Sequence, residues 1–501
     1  MRFTYRSPYS YDADSNRTGY TAPDGSTNTY SYDTLNRLNN LANSWAGSFG
    51  FSYDALGRRT QLSRPNGIAT NYSYDSVSRL LSILHQAGST TIDGEAYTVD
   101  PAGNRTAKTD DLAGVTSNYT YDKIYELTQV LQGTNTTETY TFDPVGNRLS
   151  SLGVSSYANN TSNELTSTSA ASYTYDSNGN TTSKTDSTGT TSYAWDFENR
   201  LTQVTLPGTG GTESYRYDPF GRRIQKVFTT GANPPTTTTT NYLYDGDNEI
   251  EQVDQNGNVV ARYADTQDID EPLAESTASG LDFYEQDGLG SITSLTNSAG
   301  ALAQTYTYDS FGNTTNSSGN IANPFRFTGR DFDSETGLYY FRARYVSPST
   351  GRFLSEDPWR FYSDVNFYLY VENDPTTLID PSGFYSCVQG AVCNFTPDMD
   401  KALKKFEKCL GHDIKITCGR NSHKPTDPHM KGLAVDIGHG TNPWLSRDAV
   451  IKCFDQAFPS NSYGEQEYNN GDSGQYQYHL QYTPGLGGKT GFSGYIHPHG
   501  H

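Results

Sequence analysis

The stretch "YAWDFENRLTQVTLPGTGGTESYRYDPFGRR", residues 193–223, says the same thing twice. Aromatic residues alternate with other side chains up to an aspartate, first Asp196 and then Asp218. A turn rich in Gly, Asn or Pro follows, and an apolar pair such as Leu201 and Val204 opens the return strand. Alternation, a tight turn and a second alternating run are the signature of a β-hairpin. The phrase recurs along the chain, ending at Asp12, Asp33, Asp54, Asp75, Asp100, Asp122, Asp143, Asp176, Asp245 and Asp309 as well. Most intervals are 20 to 22 residues. A fixed period of this length means stacked units, each burying one face against the next. The tyrosines are therefore read as packing groups and each aspartate as the acceptor for its own turn.

Composition agrees with that reading. The 501 residues include 39 Tyr and 47 Gly, and only 34% are hydrophobic. Such a chain favours short strands and turns over helices. No apolar run approaches the roughly 18 residues of a membrane span. The opening "MRFTYRSPYSYDADS" lacks the apolar centre of a secretory signal, so the expectation is that either export uses another route or the gene begins mid-protein. The net charge is −20, and all of it lies before Phe384: 25 basic residues there face 45 acidic ones. From Phe384 onward, 11 basic residues balance 11 acidic ones. The acidic body argues against nonspecific nucleic-acid binding, and no nucleic-acid partner is expected. All five cysteines and eight of the nine histidines fall within residues 385–501.

The periodic units resemble the YD (Rhs) repeats, which in that family wind a β-sheet spiral into a shell. Residues 324–383, running from "PFRFTGRDFDSETGLYYFRARY" to "LIDPSG", resemble the Rhs-associated core. The resemblance implies three parts: a mainly β shell over 1–323, a core over 324–383, and a variable toxin over 384–501. It also implies that Asp357 in "SEDPWR" and Asp380 in "IDPSGF" cut the chain after DPxG, near Phe384. Two carboxyls held close share a proton, so one serves as base while the other donates.

The tail reads as a small α+β domain. Thr396, Pro397 and Gly411 bracket one helix, and Ser446 caps a second. Strands are expected around "DIKITCG", "GLAVDI" and "QYQYHLQYT". His429, Gly432, Ala434 and Asp436 form an HxxGxAxD string inside "DPHMKGLAVDIG". With the preceding "ITCGRN", it resembles the zinc peptidases that comprise D-Ala-D-Ala carboxypeptidases, phage endolysins and hedgehog-type domains. That resemblance implies Zn²⁺ on His429, Asp436 and a later histidine, His479 or else His497, with one position open to water. It puts Arg420 opposite a substrate carboxylate or carbonyl. Asp472 is the expected catalytic carboxylate, with Glu465 and Glu467 as the other acids at hand. The family's serine two places before the first ligand is Asp427 here, and Tyr476 stands where its carboxylate usually lies. None of the cysteines forms a CxxC pair; two disulfides with one cysteine left over are expected, which suits work outside the cytosol, with buried free thiols as the alternative.

Together these readings give a secreted or delivered Rhs-type toxin. Its partners are a secretion apparatus, a cognate immunity protein and a peptidoglycan peptide as substrate of the zinc peptidase. Two alternatives stay open: a metal-dependent nuclease tail, or a non-enzymatic surface interaction protein.

Overall fold

The computed structural model describes residues 8–358 and 365–384, together with the backbone of six strands between Cys387 and Pro498. The repeat around Asp54 shows how one unit forms. Asp54 Oδ1 accepts the amides of Leu56 and Arg58 at 2.9 and 3.0 Å, and Oδ2 accepts Arg58 Nε at 2.7 Å. The backbone closes the same turn, Asp54 N donating to Arg58 O and Gly57 N to Asp54 O. Gly57 takes φ +83°, the left-handed region that glycine enters without steric cost. The strand register slips by one residue between Ser52 and Tyr53, just before the aspartate. Equivalent turns form at Asp33, Asp75, Asp196 and Asp218 with Arg37, Arg79, Arg200 and Arg222. Asparagine replaces the arginine at Asn147, Asn180 and Asn313.

Each repeat also grips its neighbour. Tyr53 Oη donates to Leu38 O in the preceding unit at 2.8 Å, and Tyr74 and Tyr217 do the same to Arg59 O and Leu201 O. Trp195 takes the tyrosine's place with Nε1 on Thr181 O at 2.7 Å. From the other side, Arg37 lies 4.8 Å over the ring of Tyr53 and donates to Asp54 O. A cation over a ring adds to a hydrogen bond at the same junction.

Hairpins added in this way give two antiparallel meanders with strands in strict sequence order. One has 14 strands from Tyr9–Tyr11 to Arg148–Ser151, the other 16 from Tyr157–Asn159 to Thr314–Ser318. They meet in a cluster that joins Leu41, Phe49, Phe51 and Leu62 to Ile250, Ala264, Leu273 and Phe283. Ion pairs stitch the seam: Arg17 to Asp245, Arg59 to Glu271 and Arg64 to Glu285.

The segment after Asn323 packs against both meanders. Its four short strands, Asp331–Asp333, Leu338–Phe341, Arg344–Ser347 and Arg352–Phe353, form one small sheet. Phe327, Tyr339, Phe341, Phe353 and Tyr370 share a cluster with Leu127, Val130 and Tyr140 of the first meander. Tyr340, Tyr345 and Leu354 share another with Leu201, Val204 and Tyr215 of the second. Buried charge locks the same junction, Arg223 Nη1 reaching Asp333 Oδ2 at 2.6 Å. The expected mainly β architecture is what the chain adopts.

Beyond the core, backbone pairing places Cys387–Val388, Ile416–Cys418, Ala434–Gly438, Tyr476–Gln481, Tyr463–Tyr468 and Gly491–Pro498 in one mixed sheet that begins at Leu378–Ile379. The two helices expected at 396–411 and 446–458 lie outside the described residues.

Because Asp54 accepts three hydrogen bonds, Asp54→Ala should lower stability by roughly 1–3 kcal/mol in urea unfolding. Leu56, 62% exposed at the turn tip, is the control: Leu56→Ser should stay within about 0.5 kcal/mol.

Candidate functional site

Arg344 opens the third strand of the core sheet, and its side chain is 4% exposed. Its guanidinium carbon stands 3.5 Å from the centre of the Phe353 ring, which fixes the plane of the fork. From there Nε donates to Gly383 O at 2.6 Å and Nη1 to Phe367 O at 3.2 Å. Nη2 faces two carboxyls, Asp357 Oδ2 at 3.1 Å and Asp380 Oδ2 at 3.5 Å. Both aspartates are 3% exposed.

Asp380 repeats, in the core, the turn chemistry of the shell. Its Oδ1 accepts the amides of Gly383 and Phe384 at 2.8 and 3.1 Å, with the Ser382 hydroxyl at 3.4 Å. Gly383 has φ +76°, and a Cβ there would stand 2.2 Å from Phe341 O. The glycine of "DPSG" is thus required by both backbone and space. The carboxyl of Asp380 is pushed up to about 6. Burial is the main cause; the Arg344 cation works against it, Asp357 adds repulsion, and the two amides favour the charged form.

The arrangement therefore has two carboxyls on one guanidinium, which neutralises one negative charge. It brackets the Gly383–Phe384 peptide, with a cationic donor on the carbonyl oxygen and a carboxyl on the amide nitrogen. Such a site can polarise a peptide carbonyl and pass protons to and from it. The two aspartates picked from the sequence, Asp357 and Asp380, come together. Arg344 was not singled out; the signal was the need of two buried acids for a counter-charge, which "YYFRARY" supplies.

The tail residues fare differently. His429, Arg420 and Asp472 lie outside the described residues. The backbone of Asp436 is in register with that of His479, and Glu465 is the partner of His479 on its other side. His497 is in register with Glu467. Among the described residues no group of three or more His, Cys, Asp or Glu is placed to hold a metal ion. No helix there is long and apolar enough to cross a membrane.

Comparison with known proteins now adds to this geometry. The teneurin YD-shell family model matches residues 104–378, and the RHS repeat matches residues 53–91. A tRNA3(Ser)-specific nuclease, WapA of Bacillus spizizenii, is 35% identical over 283 residues, 53% of this chain and 12% of that protein. A probable deoxyribonuclease, RhsB of Dickeya dadantii, is 31% identical over 208 residues, 40% of this chain and 14% of that protein. The chain thus spans a small part of the curated relatives it matches. A crystal structure of TcdB2-TccC3-Cdc42 superposes with TM-score 0.64 at 23% identity, over 75% of this chain and 21% of the other; it shares the fold.

These findings overturn two expectations. The zinc peptidase and its peptidoglycan substrate give way, since the relatives are named for action on tRNA and DNA. The exclusion of nucleic acid as a partner falls with them. Its basis was the acidic body, but that −20 belongs to the residues before Phe384 and describes nothing beyond them.

Gly383→Ala should cost at least about 1–2 kcal/mol from its left-handed backbone alone. It should lower the melting temperature of the chain, whereas Ser382→Ala, which loses only long hydroxyl contacts of 3.3 and 3.4 Å, should lower it less.

Proposed function

The chain belongs to the teneurin YD-shell family, and on that footing we propose that it is a toxin carrier that cuts itself at the Gly383–Phe384 bond. The freed C-terminal segment then acts on nucleic acid. The single observation that carries the self-cleavage is the grip of Arg344 and Asp380 on that one peptide group, with Asp357 held on the same guanidinium.

The chemistry is hydrolysis. One carboxylate of the pair takes a proton from water as the oxygen adds to Gly383 C. Arg344 Nε steadies the negative charge that develops on the carbonyl oxygen. The carbon–nitrogen bond breaks and the protonated carboxyl of the pair gives its proton to Phe384 N. One water is consumed, and the pair ends with one proton, as it began. Asp380 Oδ1 accepts from Phe384 N at 3.1 Å, close enough to return a proton once that nitrogen becomes basic; with its carboxyl raised to about 6, Asp380 suits the donor role and Asp357 the base.

The names of the relatives support nucleic acid as the target of the tail, tRNA in one case and DNA in another. The divalent cation expected on His429, Asp436 and His479 is kept within this reading, because imidazole and carboxylate donors suit Zn²⁺. A metal there would supply an activated water for phosphodiester hydrolysis. A toxin of this kind is delivered out of the cell that makes it, and that cell needs a cognate immunity protein.

Mass spectrometry of the chain after folding should show a new amino terminus at Phe384, and Asp357→Asn or Asp380→Asn should abolish it. The cleavage rate should fall about tenfold per pH unit above pH 6, as the acid form of Asp380 is lost. A native chain that stays intact sinks the reading. The cleaved chain incubated with tRNA and with plasmid DNA should degrade one of them, and a chelator should stop it. If both substrates survive, the nucleic-acid assignment falls.

A further inference from the structure

Arg342 sits two residues before Arg344 and is left unused by the hydrolysis just described. Its Nη1 donates to Pro381 O, the carbonyl two residues before Gly383. The rest of its fork is taken by the second meander: Nη2 to Asp270 Oδ1 at 2.8 Å and to Asp247 O at 3.2 Å, Nη1 to Asp270 Oδ2 at 3.1 Å. Asp270 also holds Arg330, from the entry to the core sheet. A bidentate pair on one carboxylate fixes a guanidinium in direction as well as place.

Two features mark the contact as more than surface charge. Arg342 and Asp270 both hold left-handed backbone, at φ +53° and φ +61°, which costs a non-glycine residue energy and persists only where the surroundings demand it. And Asp270 lies in the loop that closes the seam. The next residue, Glu271, pairs with Arg59 of the first meander, and Gln267 donates to Tyr32 Oη there at 2.6 Å. A continuous line of contacts runs from the first meander through Glu271 and Asp270 to Arg342 and the loop to be cut.

We propose that Asp270 and Arg342 are positioning residues that make self-cleavage conditional on closure of the shell. Neither touches the reacting atoms. Arg342 holds the Pro381 carbonyl so that Gly383 O and Phe384 N present themselves to Arg344 and Asp380. Asp270 aims Arg342 only when the seam loop is seated between the two meanders. A chain whose sheets have not met keeps its tail attached. The inference rests on the self-cleavage reading and adds a condition to it.

The test follows cleavage after a pulse of cell-free synthesis of the full chain. Rates are expressed per folded molecule, the folded fraction being scored by resistance to brief proteolysis. Asp270→Asn and Arg342→Gln should each slow cleavage at least tenfold, and the double variant should be no slower than Arg342→Gln, since Asp270 acts through Arg342. The pH midpoint near 6 should not move in any of them, because the titrating carboxyl is unchanged. Arg59→Gln, remote in sequence and across the seam, should slow cleavage too; Arg342→Lys, which keeps charge without the fork, should not restore it. Native rates per folded molecule in Asp270→Asn, or effects of the two substitutions that multiply in the double variant, overturn the proposal. Failure of the native chain to cleave strikes instead at the reading beneath it.

Discussion

One carboxylate accepting two backbone amides is the interaction on which this chain is built. In the shell it turns the strand at repeat after repeat: Asp33, Asp54, Asp75, Asp196 and Asp218 each take the amides two and four residues on, whereas Asp245 instead pairs with Arg17. Amides at a tight turn have no strand partner, and the aspartate supplies one. The arginine that closes the turn then stacks on the next repeat, so local turn chemistry becomes repeat-to-repeat cohesion. The core uses the same device at Asp380, with amides three and four residues on. There the carboxylate is buried, faces a second acid and shares one cation. A shell turn and the candidate site thus share one device in different surroundings.

Burial of charge is spent where segments meet. Arg223 joins the second meander to Asp333 of the core, Arg59 and Arg64 join the first meander to Glu271 and Glu285 of the second, and Arg344 joins the core's own ends. Breaking any of these pairs strands a charge in a poor dielectric, which is far costlier than losing a surface pair. The seams of the molecule thus rest on specific charge pairs, while the turns between them are closed by arginine in some repeats and asparagine in others.

The architecture was legible because its signal is repeated: alternating aromatics, aspartate and turn recur through most of the first 309 residues. The acid pair was legible for a different reason, as Asp357 and Asp380 lie in short strings that resemble a known core. Arg344 and Asp270 were not. Arginines and aspartates abound here, and nothing local marks Arg344 as stacked on Phe353 or Asp270 as facing Arg342 across 72 residues of chain. Such pairings depend on where the two meanders and the core meet, which no window of sequence contains. The tail misled for the opposite reason. A string of four residues in HxxGxAxD spacing suggested one reaction class, yet imidazole and carboxylate groups serve peptide and phosphodiester hydrolysis alike.

Strict sequence order of the strands in both meanders has a consequence for biosynthesis. Every strand pairs with the one made just before it, so a growing sheet can zip residue by residue as the polypeptide leaves the ribosome. Contacts such as Arg17 with Asp245 span more than 200 residues and must wait until the second sheet has been translated. Assembly is therefore vectorial: two ribbons form in turn, and their mutual docking comes late.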